Sequence, residues 1–335
     1  MRKRLQLVCI SACLGALFSS VALGQGIGSG RNRAGDSEGR FTIAGRVYMP
    51  DGRPAQNVKV DIDNTDGAKS YYTSIDGTFQ TGAIKAGNYT ISVTIPGLPT
   101  EREFLTIDRD SPVGQTYNVS LFLRVEGQKK GDFYSNNPLF KDVPKAALDK
   151  FKKGVEKLDK NDAKGAIPLF DEAIAAYPSF AVAHHQKGSA LLRENELDKA
   201  LESFVKAIEL KPDYVEAKFS VGYTQYQKKN YEVAAAVFDD VLKQKADMID
   251  AQMYQGISLF YLKNTVAAEA VLKKTIATPA GEKMPLAHLY LGQIYAQKKK
   301  NAEAIVELEK YLELLPKAPN ADRIKAAIAE LKKQA

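Results

Sequence analysis

Apolar residues follow two different periods along the chain, and the change of period divides the sequence into two parts. Over residues 40–125 apolar and polar residues alternate in short runs, as at Tyr89, Ile91 and Val93. Gly, Asn, Asp and Pro separate these runs every eight to twelve residues or so, which is typical of antiparallel strands. Over residues 147–316 apolar residues recur every three or four positions, which indicates helices. The pattern therefore predicts an all-β domain followed by an all-α domain.

Three kinds of residue recur in step within the helical part. Glycines recur at steps of 34, 34, 34 and 36 residues, and an Ala series and a Phe or Leu series follow them in the same register. The series are Gly154, Gly188, Gly222, Gly256 and Gly292; Ala166, Ala200, Ala234, Ala268 and Ala304; and Phe170, Phe204, Phe238, Leu272 and Leu308. Glycine inside a helix costs ~1 kcal/mol relative to alanine, so packing must compensate. We expect the missing side chains to admit a second helix, with the alanines supplying the partner surface.

The 34-residue step and these residues resemble the tetratricopeptide repeat, a helix–turn–helix unit. The closing proline of that family is present as Pro178, Pro212 and Pro316, whereas the third unit has Ala246 and the fourth has Pro279 one place early. The resemblance implies a solenoid of five helix pairs over residues 145–316. Residues 317–335 then predict a capping helix with one apolar stripe, because a solenoid must close its open end.

Short motifs in the β part resemble the carboxypeptidase regulatory-like (transthyretin-like) family. They are Gly45-Arg46-Val47, Asp51-Gly52, Asp76-Gly77-Thr78-Phe79 and the run from Gly87 to Val93. The resemblance implies a small antiparallel β-sandwich over residues 40–125. Residues 25–39 are poor in large apolar side chains and predict a disordered tether, and residues 126–144 predict a linker.

The first 24 residues are typical of an export signal. Three basic residues, Arg2, Lys3 and Arg4, precede an apolar stretch without acids, and small residues follow at Ala22-Leu23-Gly24. We expect a periplasmic or secreted protein of a bacterial envelope. Two alternatives stay open, which are a retained membrane anchor and a lipoprotein anchored through Cys13.

Composition narrows the possible functions once this signal is set aside. Cys9 and Cys13 are the only cysteines, so the mature chain would have no thiol or disulfide. Cleavage also removes three basic residues and no acid, which lowers the formal charge from +7 to +4. This mild charge argues against a nucleic-acid partner.

Nothing in the sequence indicates catalysis, a metal or a cofactor. The three histidines, His184, His185 and His288, all lie in the repeats, and Glu194 is the only acid at ligand spacing from the His184-His185 pair on one helical face. Phosphate-binding glycine loops and nucleophile motifs are also missing from the sequence. We therefore predict a non-enzymatic protein that needs no cofactor.

The repeats offer the surface with the best claim to a function. In the tetratricopeptide family, positions 2, 5, 9 and 12 of each first helix line a concave groove, which would bind a protein or peptide partner of the envelope. On this chain the resemblance assigns partner binding to Phe151, His185, Phe219, Tyr223, Tyr226, Met253 and Phe260. Apolar positions on helices are usually core, so the alternative that these residues are buried between helices stays open.

Two other uses of the chain compete with this interpretation. The sandwich could bind a glycan through Tyr71 or Tyr72, with the repeats acting as a spacer. Alternatively, Leu139-Phe140 or the sandwich itself could occupy the groove until a partner displaces it.

Overall fold

The computed structural model describes residues 41–50, 54–74, 77–108, 110–111, 114–127, 134, 140–316 and 318–334. The predicted signal peptide, the predicted tether, Cys13, Asp51-Gly52, Asp76 and Leu139 lie outside the described residues. No helix in the described ranges is both long and apolar enough to cross a bilayer.

The β part is a sandwich of two sheets, as the alternating pattern predicts. Its strands are β1 (Thr42–Tyr48), β2 (Lys59–Asn64), β3 (Gly67–Tyr72), β4 (Thr78–Gln80), β5 (Gly87–Val93), β6 (Glu101–Ile107) and β7 (Thr116–Phe122). One sheet has the order β4-β1-β7 and the other β3-β2-β5-β6. Alternate residues such as Ile43, Ile91 and Leu121 are buried between the sheets. Pairing is antiparallel except between β1 and β7, which come from opposite ends of the domain sequence and run parallel.

The α part consists of five helix pairs and a terminal helix, as predicted. The first helices of the pairs are α1 (Lys145–Asp159), α3 (Ala181–Arg193), α5 (Val215–Gln227), α7 (Ile249–Tyr261) and α9 (Pro285–Gln297). The second helices are α2 (Ala163–Ala176), α4 (Leu197–Leu210), α6 (Tyr231–Gln244), α8 (Thr265–Ile276) and α10 (Asn301–Leu314). Helix α11 (Ala321–Lys333) covers the last pair, and its Ile324 and Ile328 pack against Leu289 and Leu308.

The recurring glycine in each first helix lies directly beneath a side chain of the second helix. A Cβ atom added at Gly188 would stand 2.6 Å from Phe204, and one at Gly256 would stand 2.7 Å from Leu272. The other three pairs repeat this arrangement with Gly154 and Phe170, Gly222 and Phe238, and Gly292 and Leu308. The expected close approach is therefore present, but its partner is mainly the Phe or Leu series. The alanines are fully buried instead, because the crossing leaves no room for a larger side chain.

Each first helix ends in a turn with one residue in the left-handed conformation. These residues are Asn161, Asn195, Lys229, Lys263 and Lys299, with φ between 59° and 63°. In the first turn Asn161 N–H donates to the Leu158 carbonyl and Asp162 N–H donates to the Lys157 carbonyl. This pair of bonds is the Schellman motif, which satisfies two carbonyls at the helix end. The same turn in all five units gives each pair the same geometry.

The sandwich is joined to the first unit through Asp159, the last residue of α1. Its carboxylate accepts hydrogen bonds from Tyr48 Oη at 3.1 Å and from Ser120 Oγ at 2.7 Å, and it lies 3.8 Å from the Arg46 guanidinium. Arg46 and Tyr48 are almost fully buried. Burial raises the pKa of Asp159, whereas the Arg46 charge and the two donors act in the opposite direction.

Aromatic rings surround this polar contact and cover the start of the solenoid. Tyr48 stacks on Phe122 with ring centroids 4.8 Å apart, and Tyr134 contacts both Phe122 and Phe140. Phe140 in turn lies 5.6 Å from Phe151 of α1. The first repeat therefore shares one apolar core with the sandwich and the linker.

We predict that Gly188→Ala destabilises the helical part by ~1–2 kcal/mol. Overpacking a filled core costs ~1–3 kcal/mol, which outweighs the ~1 kcal/mol gained in helix propensity. Denaturant unfolding followed by far-ultraviolet circular dichroism measures the change. Gly82→Ala is the control, because nothing lies within 4 Å of the added Cβ. Equal stability of both variants would show that the glycine is not needed for close packing.

We predict that Asp159→Ala lowers the unfolding free energy by ~3 kcal/mol, because it removes the carboxylate that a buried arginine and two hydroxyls contact. Thermal and denaturant unfolding measure the loss. Asp149→Ala on the same helix is the matched control, since its pair with Lys145 is exposed to solvent and contributes little to stability. A loss for Asp159→Ala no larger than that of the control would contradict the proposed role of this contact.

Candidate functional site

The first helices lie on the inner side of the stack. Contacts join α1 to α3, α3 to α5, α5 to α7 and α7 to α9, whereas the second helices of successive units are not in comparable contact in the described part of the chain. Helices that approach one another more closely lie on the inside of a curve. The inner face of the solenoid is therefore built from α1, α3, α5, α7 and α9.

The seven residues assigned to partner binding fall into two groups on this face. Phe151, His185, Phe219 and Met253 are buried, because each reaches between helices. Phe219, for example, lies 5.3 Å from Phe238 of the second helix in its own unit. The remaining three residues are half-buried and contribute to the surface; they are Tyr223, Tyr226 and Phe260.

These three residues belong to a larger group of rings where α5, α7 and α9 meet. We call it the tyrosine cluster, and it comprises Tyr223, Tyr226, Tyr231, Tyr254, Phe260, Tyr261 and Tyr290. The Tyr254 ring lies 5.0 Å from that of Tyr223 and 5.2 Å from that of Tyr226. Offset and edge-to-face contacts of this kind stabilise aromatic pairs by ~0.5–1.5 kcal/mol beyond area burial. The cluster is therefore a rigid aromatic wall.

The edge of the cluster combines ring stacking with hydroxyl groups. Tyr231 stacks on Tyr261 with centroids 4.4 Å apart, and the Tyr261 and Tyr290 hydroxyl oxygens are 2.7 Å apart. Gln227 Nε2 donates to Tyr223 Oη at 3.0 Å. The wall thus presents apolar ring faces and polar tips together.

Burial disfavours ionisation of three phenols in the cluster. It raises the pKa of Tyr226, Tyr254 and Tyr290 well above the usual value for tyrosine. Phenols are already neutral near pH 7, so burial extends the neutral state of these three groups further into the alkaline range.

The histidines are hydrogen-bonded within the repeats. His185 Nδ1 lies 3.2 Å from Tyr214 Oη, and its Nε2 lies 3.1 Å from Ser220 Oγ. His288 Nδ1 lies 2.6 Å from Glu307 Oε2. Within the described ranges no group of three His, Cys, Asp or Glu residues is arranged to hold a metal ion.

Comparison with protein families agrees with this architecture. Residues 25–121 match the carboxypeptidase regulatory-like domain, and residues 151–214, 185–249 and 254–321 match the tetratricopeptide repeat. The chain is a tetratricopeptide-repeat protein with an N-terminal carboxypeptidase regulatory-like domain. No curated protein matches the sequence.

Solved structures of other repeat proteins share the fold of the solenoid. PilW, a type IV pilus biogenesis factor, is 23% identical with a TM-score of 0.50, over 57% of this chain and 88% of its own. PilF of Pseudomonas aeruginosa is 16% identical with a TM-score of 0.51, over 56% of this chain and 85% of its own. At these identities the likeness shows the fold alone.

The family register identified only part of the tyrosine cluster. Tyr254, Tyr261 and Tyr290 fall outside positions 2, 5, 9 and 12 of their first helices, so the groove positions did not include them. A usable signal was present, since eight of the 16 tyrosines lie between residues 214 and 295. Such a concentration of one amphipathic ring in adjacent units indicates a shared surface.

The opposite end of the inner face is covered by the chain itself. Phe140 of the linker packs against Phe151 and Phe180, with ring centroids 5.6 Å and 5.9 Å apart. Self-occupation of the groove therefore applies to the first unit, and the tyrosine cluster begins two units further along.

We predict that alkaline pH unfolds the repeats as the buried phenols ionise. Tyrosines titrate near pH 10 when unfolded, whereas burial raises the pKa of Tyr226, Tyr254 and Tyr290 in the folded chain. Stability is thus fully present below about pH 10 and is lost as pH rises further. Phenolate absorbance should show a late fraction that appears together with loss of helical circular dichroism. Reversible ionisation of all 16 tyrosines with the helices intact would contradict this burial.

Proposed function

We propose that this protein is a non-catalytic interaction scaffold that captures a peptide or helix of a protein partner on the inner face of its repeats. The observation that carries the proposal is the tyrosine cluster, a half-buried aromatic wall spanning three adjacent units. Tyr223, Tyr226 and Phe260 retain solvent contact as members of one group of rings, and a contiguous apolar patch is more informative of binding than single exposed side chains.

The cluster has the composition of a binding hot spot. Tyrosine is enriched at such sites, because its ring buries a large area and its hydroxyl retains a hydrogen bond. The rings are already fixed by their neighbours, so a partner would lose little additional side-chain entropy from them on binding. An amphipathic helix or extended segment with spaced apolar anchors fits a wall of this kind.

Export is the second component of the proposal. The basic and apolar character of residues 1–24 supports secretion to the periplasm or beyond, and the remaining sequence has no cysteine to be affected by oxidation. The partner would accordingly be a protein of the cell envelope. Anchoring through a lipidated Cys13 is the alternative route to the same compartment.

We predict that the double variant Tyr223→Ala, Phe260→Ala weakens partner binding by at least ~30-fold, as expected from losing ~2 kcal/mol at a hot spot. The purified protein is used to capture partners from envelope extract, and the segment of a captured partner is then titrated against it. The chain has no tryptophan, so intrinsic fluorescence reports on tyrosine directly.

Val266→Ala with Val306→Ala is the control for this experiment. Both valines are exposed apolar residues of the second helices, with 72% and 63% of their surface accessible. Circular dichroism verifies that every variant is folded. If the control variant lost the partner while the cluster variant kept it, binding would lie on the outer face and the proposal would be wrong.

A further inference from the structure

A separate surface on the sandwich has the features of a ligand site. A shallow cavity of about 490 Å³ lies over strands β2, β5 and β6. Its lining includes Asp63, Asn64, Asn88, Thr90, Phe104 and Thr106. The register places Phe104 opposite Thr90, Thr106 opposite Asn88, and Asp63 opposite Thr90. The side chains of Asp63, Asn88, Thr90, Phe104 and Thr106 therefore share one face of the four-stranded sheet, turned away from the sandwich core.

Phe104 is the unusual member of this group. It is 76% exposed, more than any other large apolar side chain in the described part of the chain. Its neighbours in the cavity lining on this face are hydroxyl, amide and carboxylate groups, and Arg102 lies on the same face of β6 outside the lining. An exposed ring in polar surroundings keeps apolar area in water, which favours contact with a ligand that offers an apolar face.

The polar groups around the ring are held in place. Thr106 Oγ1 donates to Asn88 Oδ1 at 2.9 Å, and Asn64 Oδ1 accepts from the Asp66 N–H at 2.9 Å. Each bond uses the amide oxygen and keeps the amide nitrogen as a donor. Asp63 supplies an acceptor, and Thr90 supplies a hydroxyl that serves as either.

We propose that this face is a binding site for a neutral saccharide. A sugar ring has a face of C–H groups that packs on an aromatic ring, and hydroxyls at its edge that pair with carboxylates, amides and hydroxyls. Asp63 is the one charged residue in the lining, and neither Lys nor Arg contributes. A site with this charge disfavours phosphorylated or acidic sugars and accepts uncharged ones.

The anchor differs from the two tyrosines that the sequence suggested for a glycan. Tyr71 packs against the sandwich core, and the Lys283 ammonium lies 5.1 Å from the ring centre of Tyr72. Neither ring stands free as Phe104 does. The site is also distinct from the tyrosine cluster, so the two proposals succeed or fail independently.

A second copy of the chain is the rival occupant, because β6 is an edge strand. The strand begins Glu101-Arg102-Glu103, and charges of this kind discourage edge pairing. The saccharide is therefore the better fit, and the oligomeric state is one readout of the test.

The test titrates the purified protein with maltohexaose, cellohexaose and chitohexaose by calorimetry and by NMR, with oligogalacturonate as the anionic probe. At least one neutral probe should bind and shift amide resonances of β2, β5 and β6. Phe104→Ala should weaken binding at least tenfold, Phe104→Tyr should retain it, and the exposed Val266→Ala should have no effect.

Four results would overturn the proposal. The first is that no neutral probe binds at millimolar concentration. The second is that oligogalacturonate binds as tightly as the best neutral probe. The third is that Phe104→Ala leaves binding unchanged. The fourth is that the wild type sediments as a dimer and Phe104→Ala as a monomer, which would assign the ring to a contact between copies.

Discussion

In each helix pair, a ring or leucine of the second helix fills the space that a glycine of the first helix leaves open. The rest of the solenoid depends on this contact, because it fixes how closely and at what angle the two helices cross. Gly188 beneath Phe204 and Gly256 beneath Leu272 show that either side-chain shape serves. Since five pairs share this contact and the same Schellman turn, they stack regularly with their first helices inside the curve. Regular stacking then brings rings from α5, α7 and α9 into one wall.

Polar and aromatic contacts are used differently at the two ends of the solenoid. At the start, Asp159 ties the first unit to Arg46 and two hydroxyls of the sandwich, and Phe140 covers the neighbouring rings. This end is closed by the chain itself. Towards the other end, the tyrosine cluster keeps part of its surface in solvent. The sandwich thereby covers the first unit and reaches Lys283 beside the fifth through Tyr72, while the tyrosine cluster retains solvent contact.

The sequence predicted features that recur and missed features that depend on a single local neighbour. The period of 34 residues gave the helix pairs, the cap and the small positions, because each must repeat for the units to stack. The burial of Phe219 depends on its contact with Phe238. The spacing of residues along the sequence does not reveal that contact. The left-handed backbone conformation of Lys229 could not be predicted from the sequence either, since lysine has no preference for that conformation. Phe104 is exposed because the fold leaves its face of the sheet uncovered. The alternation of apolar and polar residues does not by itself show which face of a sheet will be covered.

A double-mutant cycle on Gly188 and Phe204 tests the glycine contact most directly. The free energy of unfolding is measured for the wild type, Gly188→Ala, Phe204→Ala and the double variant. If the ring occupies the space of the missing side chain, Gly188→Ala should cost about 1 kcal/mol less beside the alanine of the Phe204→Ala variant than beside the native phenylalanine, which is a non-additive result. Additive costs, equal within a few tenths of a kcal/mol, would show that the glycine acts independently of the ring and would contradict this account of the solenoid.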